Sequence, residues 1–123
     1  MRAVFLPGNR RVELREVDPR RPGVGEVLTA VRASCICRGD MRLYDGKAVT
    51  PGSCVSGHEP AGVVEEVGPG VGALRAGDRV AAHLGIGNID LGRLATHTFS
   101  LDEAETAFRM FDQRETGKAV FVI

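Results

Sequence analysis

Residues 11–17, Arg-Val-Glu-Leu-Arg-Glu-Val, alternate charged and apolar side chains. That period of two predicts a half-buried strand with Val12, Leu14 and Val17 turned inward. Further strands are predicted at 2–6, 26–33, 59–67, 79–84 and 118–123, where short apolar runs stand between Gly- and Pro-rich punctuation. Pro7-Gly8-Asn9, the segment Asp18 to Gly25, Gly46 to Ser53, Gly68 to Gly72 and Gly77-Asp78 read as turns or loops. Residues 38–45 suit one helical turn around Met41, Leu43 and Tyr44. The last third changes period. Ser100-Leu101-Asp102-Glu103 has the spacing of a capping box, and Leu101, Ala104, Phe108 and Phe111 then share one face of a helix, with Gly117 as its stop. Several short strands with tight turns, then a helix and a last strand, predict a small barrel or sandwich with a C-terminal helix.

Composition narrows the function classes. The chain has 123 residues, which suits one domain with a modest core. Sixteen basic and sixteen acidic residues balance to a net charge of zero. The cluster Arg15, Arg20, Arg21 is broken by Glu16 and Asp18, so the chain carries no footprint of nucleic-acid binding. No run of eighteen apolar residues occurs, so no membrane span is predicted. The apolar run before Pro7 is too short for a signal-peptide core, and a cytoplasmic location is expected. Three cysteines, two of them at positions 35 and 37, favour reduced thiols or metal ligands over a disulfide framework.

Two constellations carry candidate chemistry: Cys35-Ile36-Cys37-Arg38-Gly39-Asp40 and Gly57-His58-Glu59-Pro60-Ala61-Gly62. A thiol, an imidazole and a carboxylate form a set of donors that zinc favours, and a catalytic zinc keeps one position open for water or substrate. On residue types alone a histidine of the surface or core and small buried cysteines are the commoner explanation.

The run Gly57-His58-Glu59, two residues, Gly62, five residues, Gly68, two residues, Val71 resembles the signature of zinc-dependent medium-chain alcohol dehydrogenases at every fixed position. Cys37-Arg38-Gly39-Asp40, after the predicted strand, resembles the segment holding that family's first zinc ligand. Gly77-Asp78-Arg79-Val80 and the tail from Ile89 to Ile123, with Thr96-His97 before the helix, are similar to the family as well. The resemblance implies a mainly β fold: a GroES-like, partly open β-barrel with a C-terminal helix and closing strand. It implies a parent that oxidises a small alcohol with zinc and NAD(P). Cys37 and His58 match the zinc ligands. Glu59 matches the adjacent carboxylate that can approach the ion, and Asp40 the acid that orients a ligand imidazole; these two are the candidate catalytic side chains beside the metal. Arg38 matches a residue placed against the cofactor pyrophosphate. Asp40 also reads as a helix-start cap and Arg38 as a solvated side chain. Gly62 implies close packing, and Gly68, Gly70 and Gly72 positive φ around Pro69.

The chain also departs from that family. After residue 87 the family continues into a lobe for structural zinc and a complete nucleotide-binding domain, whereas here Gly85-Ile86-Gly87 runs directly into Asn88-Ile89-Asp90. Position 90 lacks the third glycine of a dinucleotide fingerprint, so Gly85-Ile86-Gly87 reads as a turn. Residues 1–87 and 88–123 are expected to form one rejoined domain. The family's third zinc ligand lies in the absent stretch. Glu59, Cys35, Cys54, His83 or His97 would have to substitute, and zinc binding is expected to be weak or absent. Gly39 stands where many members carry the hydroxyl that relays the alcohol proton. The isolated chain is therefore expected to be inactive. The rival reading is a GroES-like scaffold or binding module without chemistry. Exposure of the former domain interface would favour self-association.

Overall fold

The computed structural model describes residues 1–48, 56–81 and 95–123. Strands β1 (Arg2–Gly8) and β2 (Arg11–Glu16) pair antiparallel, with Gly8 opposite Arg11. The connection is thus Asn9-Arg10, at φ 56° and 59°. Two left-handed residues match the right-handed twist of the strands they join. The turn lies one residue beyond the expected one, because β1 continues through Pro7 and Gly8 after an irregularity at Phe5. Ala3 to Leu6 are all buried, so β1 is covered on both faces. Leu14, expected to face inward, is 39% exposed. Among the described residues its strand pairs only with β1, and Arg15 lies instead across the Phe5 ring at 4.6 Å.

The second sheet has five strands in the order β5-β4-β3-β7-β6. β3 (Val27–Cys35) pairs antiparallel with β4 (Pro60–Val67) and with β7 (Lys118–Val122). β5 (Arg79–Ala81) lies against β4, and positions 82–84 of the expected strand fall outside the described residues. β6 (Ala95–Phe99) runs parallel to β7, which requires a crossover. The crossover is a short 3₁₀ turn, Leu101–Glu103, followed by helix α2 (Ala104–Asp112). The two sheets do not close on each other, so the fold is an open two-sheet arrangement with the expected C-terminal helix and last strand.

The core follows from the period of α2. Leu101, Ala104, Ala107 and Phe108 are buried, and Phe111 packs against the same cluster. Phe108 is fully buried, with ring centroids 5.6 Å from Tyr44 and 6.3 Å from Phe121. The box at Ser100 is present: the Glu103 carboxylate accepts from the Ser100 N–H at 2.8 Å and from its hydroxyl at 2.9 Å. The helix ends at Asp112, short of the stop expected at Gly117, and Arg114 takes the left-handed position at φ 62°. Gly117 instead lets the chain pass Thr96, whose side chain would lie 2.9 Å from an added Cβ. Gly62 has the packing reason expected of it, because a Cβ there would sit 2.1 Å from the Ala30 carbonyl oxygen. Of the three glycines around Pro69, only Gly70 has positive φ; Gly68 is required by the nearby Gly23 backbone, and Gly72 faces open space.

Candidate metal centre

The first donor lies where β3 ends and helix α1 (Arg38–Tyr44) begins. Cys37 is the residue just before the helix, in extended conformation, and its Sγ accepts the Gly39 N–H at 3.1 Å. Ile36 anchors this junction: it is 1% exposed and donates its N–H to the Ala119 carbonyl at 3.0 Å. The thiol therefore projects from a corner fixed by the core on one side and by β7 on the other.

The second and third donors lie just ahead of β4. The Ser56 N–H bonds the Val4 carbonyl at 2.9 Å, which ties this segment to β1. Gly57 follows at φ 103°, and a Cβ there would collide with Ser34 Oγ at 2.7 Å. Only glycine satisfies both conditions. The turn it makes presents His58 and Glu59 toward the Cys37 corner. Cys37 Sγ lies 3.0 Å from His58 Nε2, and the donor atoms of Cys37, His58 and Glu59 all lie within 4.8 Å of one another.

Asp40 stands behind this set and is 1% exposed. Its Oδ2 accepts the Cys37 N–H at 2.9 Å, and its Oδ1 faces His58 Nδ1 at 3.3 Å and accepts the Ser56 hydroxyl at 3.3 Å. The Asp40 carboxylate thus touches both the helix start, through Oδ2, and the imidazole, through Oδ1. Each oxygen has its own task. With Nδ1 engaged by a carboxylate, the ring directs Nε2 toward Cys37, which is how a ligand histidine is oriented.

Arg38 is exposed on the first turn of α1. His97 lies on β6, stacked 6.4 Å from Phe99, with its Nδ1 3.0 Å from Thr96 Oγ1; it does not join the cluster. Cys35 is likewise outside the donor set. Burial raises its thiol pKa, with Lys118 opposing and Glu59 and Cys37 adding to the rise. Cys54 and His83 lie outside the described residues. Gly39 borders the donors directly, since an added Cβ would meet Cys37 Sγ and His58 Cε1 at 3.3 Å each. A serine there would carry its hydroxyl into the site.

One member of the site escaped the sequence reading. Lys118, at the start of β7, places its ammonium on Glu59 Oε2, with both side chains about a third exposed. Burial by itself would lower the pKa of Lys118, but the hydrogen bond to Glu59 and the neighbouring charges of Cys35, Glu59 and Cys37 outweigh it and raise it. The register explains the position. Cys35 pairs with Val120 and the Ile36 N–H bonds the Ala119 carbonyl, so the start of β7 runs beside the Cys37 corner.

The donor chemistry fits zinc: one sulfur, one nitrogen and one oxygen, with a carboxylate behind the imidazole. A family model described as the alcohol dehydrogenase GroES-like domain matches residues 23–103. This chain belongs to that family. Among its relatives, the NDMA-dependent alcohol dehydrogenase of Amycolatopsis methanolica is 40% identical over 78 residues, 63% of this chain and 21% of its own length. The zinc-type alcohol dehydrogenase-like protein YphC of Escherichia coli is 35% identical over 92 residues, 68% of this chain and 26% of its own. Among solved structures, alcohol dehydrogenase TADH from Thermus sp. ATN1 superimposes with a TM-score of 0.59 at 43% identity, over 66% of this chain and 24% of that one. The GroES-like chain thus spans about a quarter or less of the length of these relatives. No described helix is long and apolar enough to cross a membrane.

Proposed function

We propose that this chain is the metal-binding catalytic portion of an alcohol dehydrogenase whose nicotinamide-binding half is absent, with residues 1–87 and 88–123 rejoined as one domain. The observation that carries the reading is the 3.0 Å approach of Cys37 Sγ to His58 Nε2, with Asp40 behind the ring. Cys37, His58 and Glu59 would hold zinc. When bound, the ion would polarise an alcohol oxygen and lower its pKa, which eases departure of hydride from the carbon. The chain's own residues have simpler tasks. Asp40 fixes the imidazole, Cys37 supplies negative charge, and Glu59 supplies the oxygen donor. Arg38, exposed beside them, is available for a cofactor phosphate. Gly39 offers no hydroxyl, so the alcohol proton must leave through water or another residue.

In this reading the parent is cytoplasmic, acts on a small alcohol with NAD(P), and binds no nucleic acid. The isolated chain binds zinc weakly and does not turn over. A cobalt(II) titration tests the site. A thiolate-to-cobalt absorption band is expected, weak in affinity, absent in Cys37→Ser and strongly reduced in His58→Ala. Absence of the band in the folded wild-type chain would leave the rival reading, a GroES-like scaffold without chemistry. The ammonium of Lys118 on Glu59 is what favours that rival, because it occupies one oxygen of the third donor.

A further inference from the structure

We propose that Cys35 is a further metal ligand, a second thiolate that closes on an ion first anchored by Cys37 and His58. The inference rests on the assignment of Cys37, His58 and Glu59 as metal donors. Its own basis is the alternation of side chains where β3 runs into the start of α1. Ile36 lies in the core and donates its N–H to the Ala119 carbonyl. Cys35 ends β3, and Cys37 is again extended, at φ −128° and ψ 174°. Successive side chains of an extended chain point to opposite sides, so the two thiols flanking Ile36 both leave on the side away from the core. The ladder with β7 agrees. Cys35 pairs with Val120, and Lys118, two residues from Val120, shares that face, whereas Ala119 and Phe121 are buried on the other. Lys118 reaches Glu59, so the face that Cys35 shares is the face of the donor cluster. The charges of Lys118, Glu59 and Cys37 all act on the Cys35 thiol, which is free and half-buried.

Zinc takes four ligands, and the three donors already together supply a single sulfur. The order of entry follows from the geometry. Cys37 and His58 stand 3.0 Å apart and take the ion first. The Cys35 thiol is outside that set, so it turns in only once the ion is anchored two residues away. Charge favours the step. The Glu59 carboxylate is engaged by the Lys118 ammonium, which leaves Cys37 alone to balance a dication. A second thiolate completes the neutralisation, and sulfur is a donor that zinc prefers.

The test is a cobalt(II) titration of the full chain under reducing conditions, followed by the thiolate-to-cobalt and d–d bands at saturation. Cys35→Ser is expected to keep the thiolate band at about half the wild-type intensity per bound cobalt, one Co–S bond in place of two. Its d–d envelope should move to shorter wavelength, as an oxygen replaces a sulfur, and its affinity should fall. Cys54→Ser, which removes the chain's remaining thiol, is expected to leave the spectrum unchanged. Circular dichroism verifies folding, and Cys35→Ala replaces the Ser variant if that one does not fold. Wild-type band intensity and d–d position in the folded Cys35 variant overturn the proposal. So does a halved band in Cys54→Ser with none in Cys35→Ser. Failure of the underlying site has a different signature: no band in wild type, or a full band that survives Cys37→Ser.

Discussion

A carboxylate that is 1% exposed must be compensated by hydrogen bonds, and Asp40 finds them in the Cys37 N–H, the Ser56 hydroxyl and the His58 ring. Those partners belong to the helix start, the segment before β4 and the candidate metal donors, so one side chain links stability to metal binding. Asp40→Ala is expected to cost about 1–3 kcal/mol, chiefly from the buried N–H and the imidazole left without a partner. Metal affinity should fall about 10–100-fold in the same variant. Urea unfolding without metal and a cobalt(II) titration measure the two losses separately. Loss of stability with unchanged metal affinity would reduce Asp40 to a helix cap. The sequence made Cys37, Asp40, His58 and Glu59 legible because each falls within a short run of fixed spacing. Lys118 had no such run. Its partner is distant in sequence, and only the pairing of β7 with β3 brings the two together.

Helix α2 and its leading turn show how a local rule becomes a pH dependence. The Glu103 carboxyl is held below its ordinary value of 4.5, first by the hydrogen bond from the Ser100 N–H and then by the Ser100 hydroxyl. A lowered pKa means that the folded state prefers the ionised acid. Its contribution is fully present above 4.5 and is lost as the pH falls through the folded-state value. Glu103→Gln, which keeps the shape without the charge, should therefore be less stable than wild type near neutral pH. The gap should close as the pH drops below 4.5, followed by urea midpoints across the range. A gap constant with pH would mean that the charge contributes nothing. This element was legible because capping box and periodicity agree at Ser100 to Phe111. Strand β6 was not recognised as a strand. Its five residues, Ala-Thr-His-Thr-Phe, bury little beyond Phe99, and their pairing is with β7 across the helix rather than with a sequence neighbour.

At the scale of the whole molecule the question is what a chain with this outline can hold. Val122 and Ile123 are 56% and 50% exposed, and among the described residues β5 and β6 are the edges of the five-stranded sheet. Apolar residues beside open edges favour pairing between copies. Light scattering should show mass rising with concentration; a strict monomer throughout would count against an exposed former interface. Cofactor binding is expected to fail for a different reason. Among the described residues, parallel strands joined through a helix occur once, as β6–α2–β7. A dinucleotide needs such a unit with a glycine-rich turn, so that the pyrophosphate can approach the helix N-terminus. Here the turn reads Phe99-Ser100-Leu101, without glycine, and Asp102, Glu103 and Glu105 follow at the start of the helix. The N–H of Ser100 is already taken by Glu103, and three carboxylates stand where a pyrophosphate would need positive potential. NADH or NADPH should therefore give no saturable fluorescence change with the isolated chain. Small alcohols with NAD or NADP should give no turnover, even with the metal site loaded. Measurable turnover by this chain alone would mean that the nicotinamide has a seat in it, and would overturn the proposal that a separate nicotinamide-binding half is required.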